Sequence, residues 1–249
     1  MLLAIDIGNS STSFAVFCGA KLKKFFYFDT EKLLDEKTLK LQLQKHISRK
    51  EITACALSSV VPKITPPFKK NIRKILGNLP CVEVSSKIKT GLSFHVDNPS
   101  EVGGDRVANC AAAHHLFKKD TIIVDFGTAT TFDVLTKKGI YLGGLIYPGI
   151  EISFKNLFQK AAKLKFVKLK KPKSLIGKNT MEHIRSGFFY GYSSLTDGIV
   201  RKIEAKTGKK FFVIGTGGFS PIIKNGTSTI DKVDTYLTLK GINIIASLN

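Results

Sequence analysis

Apolar and polar positions alternate in short blocks along the first third of the chain, separated by turn formers. Leu2–Ile7 is an apolar run that ends at Gly8-Asn9-Ser10, Ser13–Cys18 ends at Gly19-Ala20, and Leu22–Phe28 follows. Strand-length runs bounded by glycine and asparagine predict three consecutive strands joined by tight turns. The pattern then lengthens. A helix is expected from about 31 to 46, a buried strand near Ala54–Val60, a helix over 66–77 and a short strand at Cys81–Val84.

The second half repeats the opening. Thr121–Phe126 is an apolar run, Gly127-Thr128 a turn, Thr131–Leu135 the return, and Lys138-Gly139 leads into a third strand through Leu145. Asp6-Ile7-Gly8-Asn9 and Asp125-Phe126-Gly127-Thr128 thus hold equivalent places 119 residues apart. Two copies indicate an internal duplication rather than a repeat array. The longest helix starts at Asn179, a cap residue, with Glu182 placed to complete a capping box. Ile184, Phe188, Tyr192, Leu195, Ile199 and Ile203 recur at helical spacing until Gly208, and Gly187 and Gly191 predict close approach by another helix. A strand at Phe211–Ile214 runs into Thr216-Gly217-Gly218, and a last helix spans about Leu237–Leu248.

A strand ending in Asp-x-Gly that turns sharply back suits phosphate. Glycine lets backbone N–H groups approach phosphate oxygens, Ser and Thr hydroxyls add donors, and the aspartate can hold hydrated Mg²⁺. One such turn is common in plain hairpins, whereas two in equivalent halves point to nucleotide chemistry. Neither a G-x-x-x-x-G-K-S/T loop nor a G-x-G-x-x-G turn is present. Residues 97–106, Asp-Asn-Pro-Ser-Glu-Val-Gly-Gly-Asp-Arg, have too many turn formers and charges for a core element, and they lead into an alanine-rich helix. There Asp105 can accept a hydroxyl proton while Arg106 pairs with a carboxylate; a surface pair that only caps the helix is the competing account.

Composition narrows the partners. The 249 residues are 43% hydrophobic, enough for one large domain or two smaller ones, and no apolar run is long enough to span a membrane. Lys and Arg (39) exceed Asp and Glu (19), a formal charge of +20 with a dense cluster over 160–178. Without zinc-finger spacing, an aromatic RNA-binding motif or an arginine-rich arm, the charge argues for a solvated basic surface that attracts anionic substrates. Nucleic acid is not the expected primary partner. Cys18, Cys55, Cys81 and Cys110 form no C-x-x-C pair, so free thiols in a reducing cytoplasm are expected. His114 and His115 are adjacent and diverge on a helix, so they cannot chelate one ion together.

Taken in order, D-I-G-N-S at 6–10, S-S-V-V-P at 58–62, D-N-P-S-E-V-G-G-D-R at 97–106, D-F-G-T-A-T-T at 125–131, G-G-L-I-Y-P-G at 143–149, G-K-N-T at 177–180, S-G-F-F-Y-G-Y at 186–192, T-G-G-F at 216–219 and L-T-L-K-G at 237–241 resemble the type III pantothenate kinase family. That family lies within the acetate kinase, sugar kinase, Hsc70 and actin superfamily, and the likeness runs over nearly the whole chain. It implies two ribonuclease H-like, actin-like α/β lobes, each a mixed sheet flanked by helices, with a nucleotide cleft between them. The lobes are expected at 1–99 and 100–249. The implied reaction is ATP-dependent phosphorylation of pantothenate to 4′-phosphopantothenate, the first step of coenzyme A biosynthesis, by a cytoplasmic homodimer.

By resemblance, Asp6, Ile7, Gly8, Asn9, Ser10, Ser11, Thr12 and Ser13 form the first ATP loop, and Thr128 contacts ATP from the second. Gly103, Gly104, Asp105 and Arg106 bind pantothenate, with Asp105 as proton acceptor, and Thr180 is a substrate contact that the partner subunit helps to present. Asp125 holds a monovalent cation, K⁺ or NH₄⁺, and Asp6 lies near Mg²⁺. Three positions depart from the family's habit. Ser10 replaces threonine, Gly104 replaces alanine and is expected to add flexibility, and Val96 replaces a tyrosine. Two rival functions share this architecture: another small-molecule kinase, or a non-catalytic regulatory or nucleic-acid-binding homologue.

Overall fold

The computed structural model describes residues 1–160 and 167–249. Residues 161–166, part of the lysine cluster, lie outside the described residues. The chain divides into two compact units, Met1–Phe117 with Leu237–Asn249, and Lys118–Tyr236. The boundary expected after residue 99 therefore falls inside the first unit. Helix and strand pattern cannot show that the last helix returns to pack where the chain began.

In the first unit the strands are β1 (Leu2–Ile7), β2 (Ser11–Cys18), β3 (Lys21–Asp29), β4 (Ala54–Ser59), β5 (Cys81–Glu83) and β6 (Ser93–Phe94). Its helices are α1 (Glu36–His46), α2 (Thr65–Leu76) and α3 (Gly104–Phe117). The main sheet runs β3-β2-β1-β4-β5, with the hairpins antiparallel and the β1–β4 and β4–β5 pairs parallel. Strict alternation decides its two faces. Leu3, Ile5, Ile7, Phe14 and Val16 form one core with Leu39 and Leu43 of α1 and Phe68 and Ile72 of α2. Each such side chain, fully buried, stabilises by roughly 1.5–3 kcal/mol.

The opposite face carries Ala4, Ala15 and Ala56, small enough to admit α3 and the last helix of the chain. That helix's Gly241 lies so close to the Ala108 carbonyl that any Cβ would collide with it. Asp6, Ser13 and Ser58 continue this face, because Asp6 pairs with Ser13 on β2 and with Ser58 on β4.

The second unit contains β7 (Thr121–Phe126), β8 (Ala129–Leu135), β9 (Ile140–Pro148), α4 (Ile150–Lys160), α5 (Thr180–Thr207), β10 (Phe212–Thr216), α6 (Ser220–Ile223) and β11 (Lys232–Val233). The last helix, α7, is Leu237–Leu248. Read from β9, the strand order is β9-β8-β7-β10-β11, again two antiparallel then two parallel pairings. The duplication expected from the two Asp-x-Gly turns is thus a duplication of topology. Ile122, Val124 and Phe126 face Ile150 and Phe154 of α4 and Phe189, Tyr192 and Val200 of α5.

Several elements differ from the sequence expectation. Residues 31–46 are not one helix. Thr30–Leu33 is a 3-10 turn, and Asp35 then caps α1 by accepting from Thr38 N at 2.8 Å. On α5 the buried face is Ile184, Ser186, Phe189, Tyr192, Ser193, Thr196 and Val200; Phe188, Leu195, Ile199 and Ile203 flank it half-buried. A Cβ at Gly187 or Gly191 meets nothing within 4 Å among the described residues, so no described helix explains them. Asn179 caps α5 as expected, but Glu182 accepts from Lys178 N rather than closing on the cap residue. Cys55 and Cys81 oppose each other on β4 and β5 and form a disulfide, against the expectation of free thiols. Strand register, invisible in their spacing, places them together.

Candidate active site

The first turn is tightly closed. Gly8 N donates to Ser11 O at 3.0 Å, and a Cβ at Gly8 would lie 2.9 Å from that carbonyl, so only glycine fits. Behind it stands Thr30, the residue after β3. Its hydroxyl donates to Gly8 O at 2.7 Å and its N–H to Ser10 O at 3.1 Å. Asn9, Ser10 and Ser11 are exposed, and Asp6 and Ser13 half-buried. Within the expected ATP loop the Ile7 side chain is fully buried, and the buried Thr12 hydroxyl lies 3.0 Å from that of Thr30.

The second turn, Gly127-Thr128, closes with Gly127 N donating to Ala129 O at 3.0 Å. Two glycines press on it. At Gly149 a Cβ would collide with the carbonyls of Thr128 and Gly127. At Gly217, where φ is +82°, a Cβ would lie 2.5 Å from Asp125 Oδ1 and 2.6 Å from the Phe126 carbonyl carbon. The glycine-rich segment after β10 is therefore packed on the strand end that carries Asp125. On the same sheet face Asp125 pairs with Thr131 of β8 and Thr216 of β10.

The two aspartates share one setting. Each ends a central strand, flanked by a hydroxyl residue on the antiparallel neighbour and another on the parallel neighbour. The Ser58 and Thr216 hydroxyls are both buried without a hydrogen-bond partner among the described residues. A buried hydroxyl left so is costly, and aspartate and hydroxyl oxygens are the donor set that hard cations prefer. The residues fit the expected cations at both places.

The segment expected to bind substrate lies on the Asp6 face of the first sheet. Helix α3 begins at Gly104, so Asp105 and Arg106 lie within its first turn. A Cβ at Gly104 would approach Val84 O to 2.8 Å and Ser58 Oγ to 3.1 Å, and Ser58 is the register partner of Asp6. Gly104 is thus a packing requirement and does not loosen the segment. A Cβ at Gly103 would lie 2.6 Å from Asp105 Oδ1, so the glycine pair makes room for the carboxylate on one side and the sheet on the other.

Asp105 Oδ1 accepts from Arg106 N at 2.7 Å. Burial raises its carboxyl above its ordinary value, and that bond together with the Arg106 charge offsets only part of the rise. A half-buried carboxylate at a glycine-lined helix start can accept a proton from an alcohol. Thr180 sits exposed at the start of α5 in the second unit, where a Cβ at Gly177 would press on the Glu182–His183 backbone. The structure therefore gathers Asp6, Ser13, Ser58, Gly104 and Asp105 on one face of the first unit, and Asp125, Thr128, Gly149 and Gly217 in the second. Sequence reasoning missed Thr30, and it gave no role to Ser58 or Gly149, which stand within the S-S-V-V-P and G-G-L-I-Y-P-G motifs. The available signal was topological: the residue after the third strand of each hairpin pair meets the turn between the first two.

Known proteins agree with this geometry. The family model for type III pantothenate kinase matches residues 2–202. A type III pantothenate kinase of Moorella thermoacetica is 42% identical over the whole of both chains. Among solved structures, a putative Baf family transcriptional activator from Campylobacter jejuni superposes with a TM-score of 0.62 over 98% of this chain and 97% of that one, at 20% identity. An inorganic polyphosphate/ATP-glucomannokinase from Arthrobacter does so at 0.50 over 99% and 96%, at 14% identity, which bears on the fold alone. With matching turns in a duplicated α/β topology and full-length similarity of this order, the chain belongs to the type III pantothenate kinase family.

Proposed function

We propose that this protein transfers the γ-phosphoryl group of ATP to the primary hydroxyl of pantothenate, giving 4′-phosphopantothenate for coenzyme A biosynthesis. The observation that carries the reading is Asp105. It is half-buried, raised in pKa by that burial and seated by two glycines on the sheet face that bears Asp6. Phosphoryl transfer has a loose transition state, so positioning and charge matter more than a strong base. Asp105 accepts the hydroxyl proton as the substrate oxygen bonds to the γ-phosphorus and the bond from that phosphorus to the bridging oxygen of the departing ADP breaks, and Arg106 supplies positive charge for the anionic end of the substrate. Amides of Gly8–Ser11 and the hydroxyls of Ser10, Ser11 and Ser13 hold phosphate oxygens, as does Thr128 on the second turn.

Mg²⁺ near Asp6 and a monovalent cation at Asp125 would neutralise phosphate charge when bound. Thr180 contacts substrate in a homodimer. Support for the dimer comes from α5, where Gly187 and Gly191 open onto a groove of about 580 Å³ whose walls include Tyr147, Leu157, Phe188 and Leu195. A second copy of the chain would cover it in a two-fold contact.

One preparation tests these points together. ATP-dependent phosphorylation of pantothenate is measured at constant ionic strength in K⁺, NH₄⁺ and Na⁺, with sedimentation of the same sample. Product should form, faster in K⁺ or NH₄⁺, from a species twice 27.4 kDa in mass. No product refutes the kinase reading, equal rates in all three salts remove the cation from Asp125, and a fully active monomer removes the dimer.

A further inference from the structure

We infer that Thr30 is a positioning residue for the first phosphate turn, orienting the amides that hold the phosphates of the nucleotide without touching the nucleotide itself. The inference rests on the kinase reading above. Thr30 is 1% exposed and opens the 3-10 turn whose Leu33 is anchored in the core.

The Thr30 hydroxyl has one proton, and Gly8 O takes it at 2.7 Å. The 3.0 Å contact with Thr12 must then run the other way, with Thr12 donating to the Thr30 oxygen. The Thr30 N–H takes Ser10 O at 3.1 Å. One residue therefore binds two of the turn's three carbonyls and is itself held by a third group.

The consequence follows from peptide geometry. In a trans peptide the carbonyl and the following N–H point in opposite directions, and no peptide bond among the described residues is cis. Drawing Gly8 O and Ser10 O toward Thr30 turns the N–H groups of Asn9 and Ser11 away from it, on residues that are exposed. Two amides aimed the same way beside two serine hydroxyls form the concavity that binds phosphate oxygens. Released from Thr30, the Gly8 peptide can rotate, because glycine imposes little restraint, and the paired amides lose their shared direction. The loss would fall on nucleotide binding and leave Asp105 and its substrate unaffected.

Thr30→Val keeps the shape and the backbone bond and removes the hydroxyl; Thr30→Ser keeps the hydroxyl. For Val, the KM for ATP should rise roughly five- to tenfold, the scale of one buried hydrogen bond. KM for pantothenate should be unchanged, and Ser should restore the ATP value. Amide exchange over residues 7–13 should quicken in Val and stay at the wild-type rate in Ser.

Any of three results overturns the inference: wild-type exchange and ATP KM in Val, a Ser variant as impaired as Val, or equal losses for both substrates. If wild-type protein fails to phosphorylate pantothenate, the kinase reading falls. Thr30 is then decided by exchange and by calorimetric binding of Mg-ATP to the three proteins.

Discussion

The two Asp-x-Gly hairpins face the same task, holding a short turn rigid against charged phosphate, and they meet it with different parts. Both are backed by the residue that follows the third strand: Thr30 after β3, Gly149 after β9. Thr30 holds its turn by hydrogen bonds to Gly8 O and Ser10 O. Gly149 holds the other by contact, its backbone lying where no Cβ could fit beside the Thr128 carbonyl. The difference matters because a hydrogen-bonded buttress can be removed atom by atom without overlap. A steric one can only be overfilled. The same topology therefore gives one turn whose orientation is chemically adjustable and one whose shape is set by packing.

The comparison breaks most clearly at the third aspartate. Among the described residues, only the first unit follows its strands with a helix start carrying an aspartate, Asp105, on the face of its turn's aspartate. If the chemistry were symmetric, Asp6 and Asp125 would share it and Asp105 would be dispensable. Asp105→Asn should instead lower kcat by about 10²- to 10⁴-fold, the usual worth of a general base, with KM for ATP little changed. Near-normal turnover in a folded variant would return the proton to one of the turn aspartates.

Gly149→Ala sharpens the contrast between buttresses. The added methyl overlaps backbone atoms on both sides, which cannot swing away as a side-chain end could. Overpacking of this severity costs about 3 kcal/mol, against about 1 kcal/mol for the Thr30 hydroxyl. In urea melts Gly149→Ala should unfold well before Thr30→Val, and its surviving activity should be poor toward both substrates. A Gly149→Ala protein as stable as wild type would mean that the second turn tolerates rearrangement, and the distinction drawn above would fail.

What the chain disclosed in advance was local. The strand ends at Asp6 and Asp125, the turns after them and the cap at Asn179 depend on neighbours a few residues away, and composition shows them. The family motifs also brought Gly103–Arg106 forward, though the placement of Asp105 inside α3 awaited the structure.

What stayed hidden depends on register. Thr30 lies 22 residues from Gly8, and Cys55 lies 26 from Cys81. Nothing in those intervals tells which strand edge will meet which turn. The return of α7 to the first unit and the role of Gly104 against Val84 are hidden for the same reason. Helix α4 escaped notice because its eleven residues follow directly on a strand of similar apolar content.

The smallest expected effect separates the units by sign rather than size. Burial raises the Asp105 carboxyl above its ordinary 3.8, and its hydrogen bond to Arg106 N and the Arg106 charge do not restore it. In the second unit burial also acts on Asp197, but bonds from the backbone and hydroxyls of Ser228 and Thr229 outweigh it and hold that carboxyl below 3.8. Linkage then gives opposite slopes. Asp105 favours the folded state while protonated, and that contribution is lost as pH rises from 3.8 through its elevated folded value. Asp197 favours folding while ionised, and its contribution is lost as pH falls below 3.8 through its depressed one. At pH 7 Asp105→Asn should therefore raise Tm even as it removes activity, and Asp197→Asn should lower it, by about 1 kcal/mol in free energy for the weakened bonds. Both differences should shrink in acid, where the wild-type carboxyls carry protons in folded and unfolded chains alike. A Tm for Asp105→Asn below wild type at neutral pH would show that its ionised form is welcomed by the fold, and that the Arg106 charge outweighs burial after all.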